Sequence, residues 1–153
     1  MREPPGCGTI DGMVTNRTMG PASVVPELVY PDVPKAIEWL CDTFGFTELW
    51  RAGDHRARLS FGNGVLIVAD ATNGRTPPQP GQNTHSVMVQ VDDVDAHYAH
   101  ALARGAQVGE PPKDFPYGER QYGVRDLAGH GWTFSQTIAD VAPEDWGGTT
   151  PGS

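Results

Sequence analysis

The sequence predicts an α+β fold made of two βαβββ modules, and three observations lead to this prediction. Segments 27–46 and 87–106 share one layout: a short strand, an acidic turn that ends in Asp-Val, an amphipathic helix and a glycine near its end. Three segments with strand character follow each helix. The linker 73–83, NGRTPPQPGQN, favours neither helix nor strand and separates the halves. We expect each sheet to cover its helix with one face, and the two remaining faces to curl into a cup.

Residue spacing defines the individual elements. Apolar residues at helical spacing mark the stripe by which each helix packs, and Gly105 is well placed to end the second helix in a left-handed conformation. The stripes consist of Val33, Ile37, Leu40, Cys41 and Phe44 in the first helix, and of Val94, Tyr98, Ala101 and Leu102 in the second. The strands are predicted over 46–50, 55–61 and 65–70, with a GNG hairpin at 62–64, and over 106–109, 119–125 and 131–136.

These boundaries and the composition define the predicted organisation. We expect a flexible N-terminal tail over 1–23, modules over 24–72 and 84–140, and a flexible C-terminal tail over 141–153; translation could also start at Met13 or Met19. The net charge of −8 argues against nucleic acid or an anionic membrane as partner. The two cysteines form no CxxC pair, which favours the cytoplasm. The longest apolar run, 65–69, is too short to span a membrane.

Two motifs give the chain a family resemblance. The segments DDVDAHYAHALARGA (92–106) and PYGERQYGVRDLAGHGWTF (116–134), together with the duplication, resemble the vicinal oxygen chelate superfamily, which includes glyoxalase I, extradiol dioxygenases and bleomycin-resistance proteins. The resemblance covers about residues 24–138, with Leu127 where proline is common. It implies the predicted fold and a homodimer in which two chains complete the pockets. It also implies a His on the first strand and a Glu on the last strand of each module in metal-using members.

The residues at those four positions predict that no metal or other cofactor is bound. Alternation along the strands places Val25, Leu66, Ser86 and Thr133 at the ligand positions, and His85 on the side away from the cup. Valine and leucine have no donor atoms, and hydroxyl groups are poor ligands for zinc, iron or manganese. The remaining histidines receive structural interpretations: His97 and His100 lie on a solvated helix face, and His130 orders the last hairpin.

A mostly apolar cup with separated polar side chains is typical of a small-molecule pocket. The predicted ligand-binding residues are Val25, Glu27, Arg58, Leu66, Ser86, Met88, Gln90, Tyr117 and Thr133, and the same alternation adds Val29, Val68 and Ser135 to the lining. Glu27 has three interpretations: it binds a cationic ligand, acts as a general base, or is neutralised by a salt bridge. Unless a cation pairs with it, its pKa should be raised in such a cup.

Three functions remain open on this evidence. The leading prediction is a small-molecule-binding protein that resembles bleomycin-resistance proteins, sequesters a drug or natural product without changing it, and so contributes to antibiotic resistance. The net charge of −8 favours a cationic ligand. The second is an enzyme of the same superfamily, a lyase, isomerase or dioxygenase, either metal-free with Glu27 as the base or metal-dependent. The third, a domain that binds a protein partner, ranks last.

Overall fold

A computed structural model describes residues 7–10, 13–72 and 74–152. It confirms the predicted α+β fold of two βαβββ modules. The strands are β1 (Cys7–Ile10), β2 (Met13–Asn16), β3 (Glu27–Val29), β4 (Thr47–Ala52), β5 (Arg56–Phe61), β6 (Gly64–Ala69), β7 (Ser86–Gln90), β8 (Gln107–Val108), β9 (Lys113–Phe115), β10 (Glu119–Arg125) and β11 (Gly131–Thr137). The helices are α1 (Val33–Trp39), continued by a π-helical turn (Leu40–Phe44), α2 (Val94–Ala103) and a 3-10 turn (Pro143–Trp146).

The two modules have the same strand order. In the first sheet the order is β3-β6-β5-β4, and in the second it is β7-β11-β10-β8, with β9 also paired to β10. The first strand of each module lies parallel to the last one, whereas the hairpin strands are antiparallel. Parallel pairing of the first and last strands requires a crossover, and the helix of each module supplies it.

Matching caps begin and end the two helices, as the repeat predicts. The carboxylate of Asp32 accepts a hydrogen bond from Lys35 N at 3.1 Å, and that of Asp93 accepts one from Ala96 N at 3.0 Å. Each bond satisfies a backbone donor that the first helical turn leaves free. Gly105 follows α2 with φ of +82°, which confirms its predicted left-handed conformation.

The helix of the first module is one residue longer than that of the second, counted from the capping aspartate to the following glycine, which is Gly45 or Gly105. The chain accommodates this residue by widening its last turn into the π-helical segment Leu40–Phe44. Gly45 then reverses the chain with φ of +90°. The widened turn places Phe44 against Trp132 and Phe134 of the second sheet, at ring-centroid distances of 5.2 and 4.8 Å.

One hydrophobic core serves both modules. Leu28, Leu59 and Val68 bring the inner face of the first sheet into it, and Trp132 and Phe134 bring the inner face of the second. Because α1 and α2 pack between these faces, the opposite face of each sheet points away from the core. Those two outer faces are where the sequence places the candidate site.

The two terminal segments contain more structure than the sequence predicts. In the described part of the N-terminal segment, β1 pairs with β2 in an antiparallel hairpin, and Trp50 Nε1 donates to the carbonyl of Thr18 at 2.8 Å. The C-terminal segment forms the 3-10 turn Pro143–Trp146, whose Trp146 ring lies edge-on to Tyr117 at 5.7 Å. Neither segment carries the apolar periodicity by which helices and strands are found in a sequence.

Within the described ranges, no helix combines the length and the apolar character needed to cross a bilayer.

Candidate ligand-binding faces

The outer side of the first sheet, called here the first face, is mostly buried. A row of cross-strand neighbours runs over it from Glu27 through Ile67 and Arg58 to Trp50. Ile67 is 3% exposed and Arg58 is 1% exposed. Val29 and Ala69, in the adjacent row, are buried as well. This burial is unusual for an outer sheet face, and it means that another part of the chain covers these side chains.

The register of the first sheet corrects the predicted position of Leu66. Met88 pairs with Thr133 in the second sheet, and its counterpart Glu27 pairs with Ile67 in the first. The equivalent of Thr133 is therefore Ile67, and Leu66 points to the core, as does Val68. Every residue in 65–69 is apolar, so alternation gives no sign of which residues point outward.

The corrected positions still do not suit a divalent metal. Ile67 lacks donor atoms just as Leu66 does, and Val25 lies half-buried ahead of β3. Ser86 and Thr133 provide only hydroxyl oxygens, which are poor ligands for zinc, iron or manganese. In the ranges that the structure describes, no group of three or more His, Cys, Asp or Glu side chains is placed to hold a metal ion.

Glu27 is neutralised by two arginines, which is the third of its predicted interpretations. Its Oε2 accepts a hydrogen bond from Arg75 Nη1 at 2.8 Å, and its Oε1 accepts one from Arg56 Nη2. These bonds, that from Arg75 foremost, hold the pKa of the Glu27 carboxyl below its usual value, although partial burial acts in the opposite direction. The rise in pKa was expected only without a pairing cation, and here Arg56 and Arg75 provide the pairing. A carboxylate with a lowered pKa is also a weak general base.

Arg58 has no such neutralising partner. In the described part of the chain, neither Nη1 nor Nη2 of its guanidinium has a hydrogen-bond partner, although both are buried. Gly20 crosses directly over this group, since a Cβ atom on Gly20 would lie 3.4 Å from Arg58 Nη2. Buried charges in proteins are nearly always paired, so an unpaired guanidinium marks a position where a partner is missing.

The outer side of the second sheet, called here the second face, is open along its edge strand, whereas Ser135 and Gln121 on the same side are buried. Ser86, Met88 and Gln90 point outward from its edge strand, and Met88 is 62% exposed. Next to them a concavity of about 690 Å³ extends over β10 and β11. Gly123 and Gly131 lie within it and provide no side chains, which recesses the sheet surface. Its lining includes Ser86, Gln107, Glu110, Lys113, Phe115, Gln121, Arg125 and Thr133.

A chain of hydrogen bonds fixes the polar groups on one side of this concavity. Tyr117 Oη donates to Gln121 Oε1 at 3.1 Å, and Gln121 Nε2 donates to Ser135 Oγ at 3.0 Å. Ser135 Oγ in turn donates to Glu119 Oε1 at 2.7 Å. The ring of Tyr117 stacks on Phe115 at 5.3 Å. Tyr117, predicted at the rim, therefore orients Gln121, which lines the concavity and which the sequence reading did not select.

A second concavity, of about 750 Å³, lies where the modules meet. Met88 and Gln90 border it from the second module, and Leu66 and Phe61 border it from the first. The predicted ligand-binding residues are thus divided among three places. Ser86 and Thr133 line the first concavity, Met88, Gln90 and Leu66 border the second, and Glu27 and Arg58 lie on the first face.

His97 joins the modules and does not lie on a solvated face as predicted. Its Nε2 donates to the carbonyl of Phe44 at 2.9 Å, its Nδ1 lies 2.6 Å from Tyr122 Oη, and its ring stacks on Phe134 at 4.0 Å. A carbonyl accepts only, so the neutral imidazole carries its proton on Nε2 and accepts from the Tyr122 hydroxyl at Nδ1. Burial lowers the pKa of His97. Exposed His100 makes a similar bond, to the carbonyl of Asp42 at 2.7 Å.

A buried carboxylate ties the same two modules at their other end. Asp126 Oδ2 accepts from Tyr30 Oη at 2.6 Å and from Trp132 Nε1 at 3.0 Å, while Oδ1 accepts from the backbone of Ala128 and His130. Burial, with the adjacent Asp126 carboxylate, raises the pKa of Tyr30 well above its usual value. His130 Nε2 donates to the carbonyl of Val29 at 2.8 Å, so its side chain joins the modules in addition to its predicted role in the last hairpin.

Comparison with known proteins assigns the family. The sequence model of the Glyoxalase/Bleomycin resistance protein/Dioxygenase superfamily matches residues 20–134, which run from just before the first module into the last strand of the second. The chain belongs to this superfamily. Among solved structures similar to this superfamily member is TioX from Micromonospora sp. ML1, with 35% identity and a TM-score of 0.62, over 79% of this chain and 100% of TioX.

Two further relatives of this superfamily member extend the comparison. An uncharacterised protein of Mycobacterium bovis is 30% identical over 127 residues, which are 76% of this chain and 84% of that protein. The fosfomycin resistance protein FosX of Listeria monocytogenes matches with a TM-score of 0.61 over 76% of this chain and 93% of FosX. Its identity is only 14%, so it supports the fold alone.

Proposed function

We propose that this superfamily member binds a small molecule, a drug or natural product, and sequesters it without chemical change. The observation that carries the proposal is the concavity of about 690 Å³ on the second face, a volume suited to a drug-sized ligand. Its recessed glycines leave room for a flat group. Gln121, held by Tyr117 and Ser135, provides a polar group of fixed orientation.

The alternative of an enzyme receives less support from the same side chains. The hypothesis of Glu27 as a base requires a carboxyl that takes up a proton readily, whereas two arginines lower its pKa. The metal-dependent hypothesis requires donor atoms at four positions where Val25, Ile67, Ser86 and Thr133 offer at most two hydroxyl groups. We therefore favour binding over catalysis.

The proposal includes a homodimer. Met88 is 62% exposed in the middle of an edge strand, flanked by exposed Ser86 and Gln90. A second chain that covered this strand would shield the side chain from water and enclose the concavity, as the resemblance to bleomycin-resistance proteins implies. Light scattering coupled to size exclusion, with Met88→Glu as the disrupting variant, measures the assembly state. A wild-type monomer at ligand-binding concentrations would contradict this part.

The charge of the ligand is the finer part of the proposal. The net charge of −8 favours attraction of a cation over the whole surface. Close to the first face the balance is reversed, because Arg56, Arg58 and Arg75 outnumber Glu27 there. Both carboxylate oxygens of Glu27 already accept bonds from arginine, which leaves little for a cationic ligand to bind. A screening panel should contain cationic, neutral and anionic compounds in equal numbers.

Thermal-shift screening, followed by calorimetry and mass spectrometry of the recovered compound, tests the proposal. A ligand at a hundredfold excess over its Kd should stabilise the protein by about 2.7 kcal/mol and be recovered unchanged. Gly123→Leu should abolish binding because its side chain would fill the concavity. Ala103→Leu, at an exposed position of α2, is the matched control and should bind normally.

Two results would contradict the binding proposal. One is turnover of the bound compound into a product. The other is stoichiometric zinc, nickel, manganese or iron that survives dialysis, as measured by elemental analysis. Either result would favour the enzyme alternative on the same fold.

A further inference from the structure

The first face carries a charged group that the rest of the fold does not use. The guanidinium of Arg58 is 1% exposed, and in the described part of the chain its two terminal nitrogens have no hydrogen-bond partner. Arg56, on the same strand and the same side, is by contrast bonded to Glu27. Because Glu27 is already held by Arg56 and Arg75, it is not available to neutralise Arg58.

The cover over Arg58 is a short stretch of the N-terminal segment, 16–20. Backbone bonds from Met19 and Gly20 to the carbonyl of Asn16 make it a tight turn, and Gly20 adopts φ of +65° as it passes Arg58 Nη2. Trp50 Nε1 bonds to the carbonyl of Thr18 from the sheet below.

Little apolar burial holds this cover in place. Met19 is 54% exposed, and the flanking residues Val14 and Val24 are 71% and 81% exposed. These side chains point to solvent, so they contribute little to holding the segment on the sheet. Displacing the turn would cost few apolar contacts, and it would uncover the guanidinium together with Trp50.

We propose that Arg58 is the anchor of a carboxylate-binding site, and that the turn 16–20 occupies this site until a ligand carboxylate displaces it. Two free terminal nitrogens on one planar group match the two oxygens of a carboxylate, which accept from them side by side. Trp50 is the cross-strand neighbour of Arg58 on the same face, so its ring would flank the ligand. The inference names the chemical class of one ligand and rests on the proposal that this protein binds small molecules.

The number of available hydrogen-bond donors favours a carboxylate over a phosphate as the ligand of Arg58. A phosphate dianion is usually bound by several donors, such as a cluster of cations or a row of backbone amides at a helix N-terminus. The two other arginines close to this face, Arg56 and Arg75, are bonded to Glu27, and Ile67, the cross-strand neighbour of Arg58, is apolar. The two terminal nitrogens of Arg58, next to the ring of Trp50, suit a flat carboxylic acid.

Benzoate is the probe, and benzamide, of the same shape but uncharged, is its matched control. Titration is followed by calorimetry and by tryptophan fluorescence, with Trp50→Phe to identify the contribution of Trp50 among the four tryptophans. We expect benzoate to bind at least about tenfold more tightly than benzamide, and the fluorescence change to disappear in Trp50→Phe. Equal affinity for the two probes would overturn the inference, and so would tighter binding of inorganic phosphate than of benzoate.

Two variants test the anchor and the cover separately. Arg58→Lys keeps the charge but loses the fork, and should weaken benzoate at least about tenfold while circular dichroism reports an intact fold. Gly20→Ala strains the left-handed turn and places a methyl group 3.4 Å from Arg58 Nη2, so it should loosen the cover and tighten benzoate by about threefold. Unchanged affinity in Arg58→Lys, or in Arg58→Met should the lysine variant not fold, would contradict the inference.

The outcome also separates this inference from the proposed function. Suppose that benzoate does not bind, but that a compound of the screening panel binds to the wild type and not to Gly123→Leu. This result would refute the carboxylate site and would still support the binding function. If neither benzoate nor any compound of the panel bound to the protein, the carboxylate site and the proposed binding function would both be refuted.

Discussion

The outer faces of the two sheets have the same strand order but differ in what covers them. Ile67 on the first face is 3% exposed, whereas its counterpart Thr133 on the second is half-buried beside a wide concavity. The difference does not come from the modules themselves, because caps, crossovers and registers correspond. At Arg58 and Trp50, a segment outside the repeat, the turn 16–20, lies over the first face. A duplicated fold thus provides two equivalent surfaces, and a short added segment makes them unequal.

The largest expected effect concerns the junction that holds both sheets in place. Replacing Asp126 by Asn presents an amide group to donors that now bond to carboxylate oxygens, including Tyr30 Oη and Trp132 Nε1. Buried donors without acceptors are costly, so the free energy of unfolding in urea should fall by about 3 kcal/mol. Asp140→Asn, at an exposed position, is the control and should change little. An unchanged midpoint in Asp126→Asn would show that the sheets are held together elsewhere.

The second prediction compares the two faces directly. Ile67→Ala leaves a cavity at a buried position and should cost about 3 kcal/mol of stability. Met88→Ala, at a site that is 62% exposed in a single chain, should cost less than about 0.5 kcal/mol in the monomer. Urea titration of both variants at low protein concentration measures the difference. Equal losses would mean that the second face is covered in solution as well, for example by a second chain.

His97 predicts a dependence of stability on pH. Its pKa is lowered in the folded protein, so the unfolded chain binds the proton first as the pH falls. The stability that depends on neutral His97 is therefore fully present above about pH 6.5 and is lost as the pH falls below that value toward the folded pKa, by about 1.4 kcal/mol for each unit that separates the two pKa values. Urea midpoints between pH 7.5 and 5 in wild type and His97→Gln measure it. Parallel curves would exclude His97 as the source.

The smallest effect is expected at Glu27. Its ion pairs with Arg56 and Arg75 are about a third exposed, and such pairs contribute little to stability. Glu27→Gln should change the free energy of unfolding by less than about 1 kcal/mol at pH 7. Because the folded pKa is lowered, the contribution is present above the usual value of 4.5 and is lost as the pH falls through the folded pKa. If Glu27→Gln lowered the affinity of a cationic ligand more than about tenfold, Glu27 would be identified as the group that binds this ligand.

The fold could be predicted because the signals that specify it are local. The carboxylates of Asp32 and Asp93 cap helices in both repeats, and Gly105 ends the second helix as expected. The orientation of β7 was also predictable, since Val87 and Val89 alternate with Ser86, Met88 and Gln90. Alternation between apolar and polar residues fixes which side of a strand faces the core.

The site was less predictable, and the reasons differ from residue to residue. Leu66 was assigned to the wrong side because β6 is apolar on both faces, so alternation carries no information there. His97 was detectable: Val94, His97, Tyr98 and Ala101 follow the spacing of a buried helical stripe, whereas Leu102, assigned to that stripe, is 50% exposed. The burial of Arg58 was not detectable, because it depends on a contact with Gly20, which is distant in sequence and lies in a segment without periodicity.

The single extra residue in the first helix has a consequence for how the two halves pair. Copies of one ancestral module can pair in any combination, like with like or like with unlike. Here the widened turn directs the carbonyls of Phe44 and Asp42 at two imidazoles, His97 and His100, whose counterparts in the first module are Ala36 and Trp39. These bonds therefore form between unlike halves. The two bonds need a carbonyl from the first half and an imidazole from the second, so exchanging the halves between duplicated chains should not preserve them.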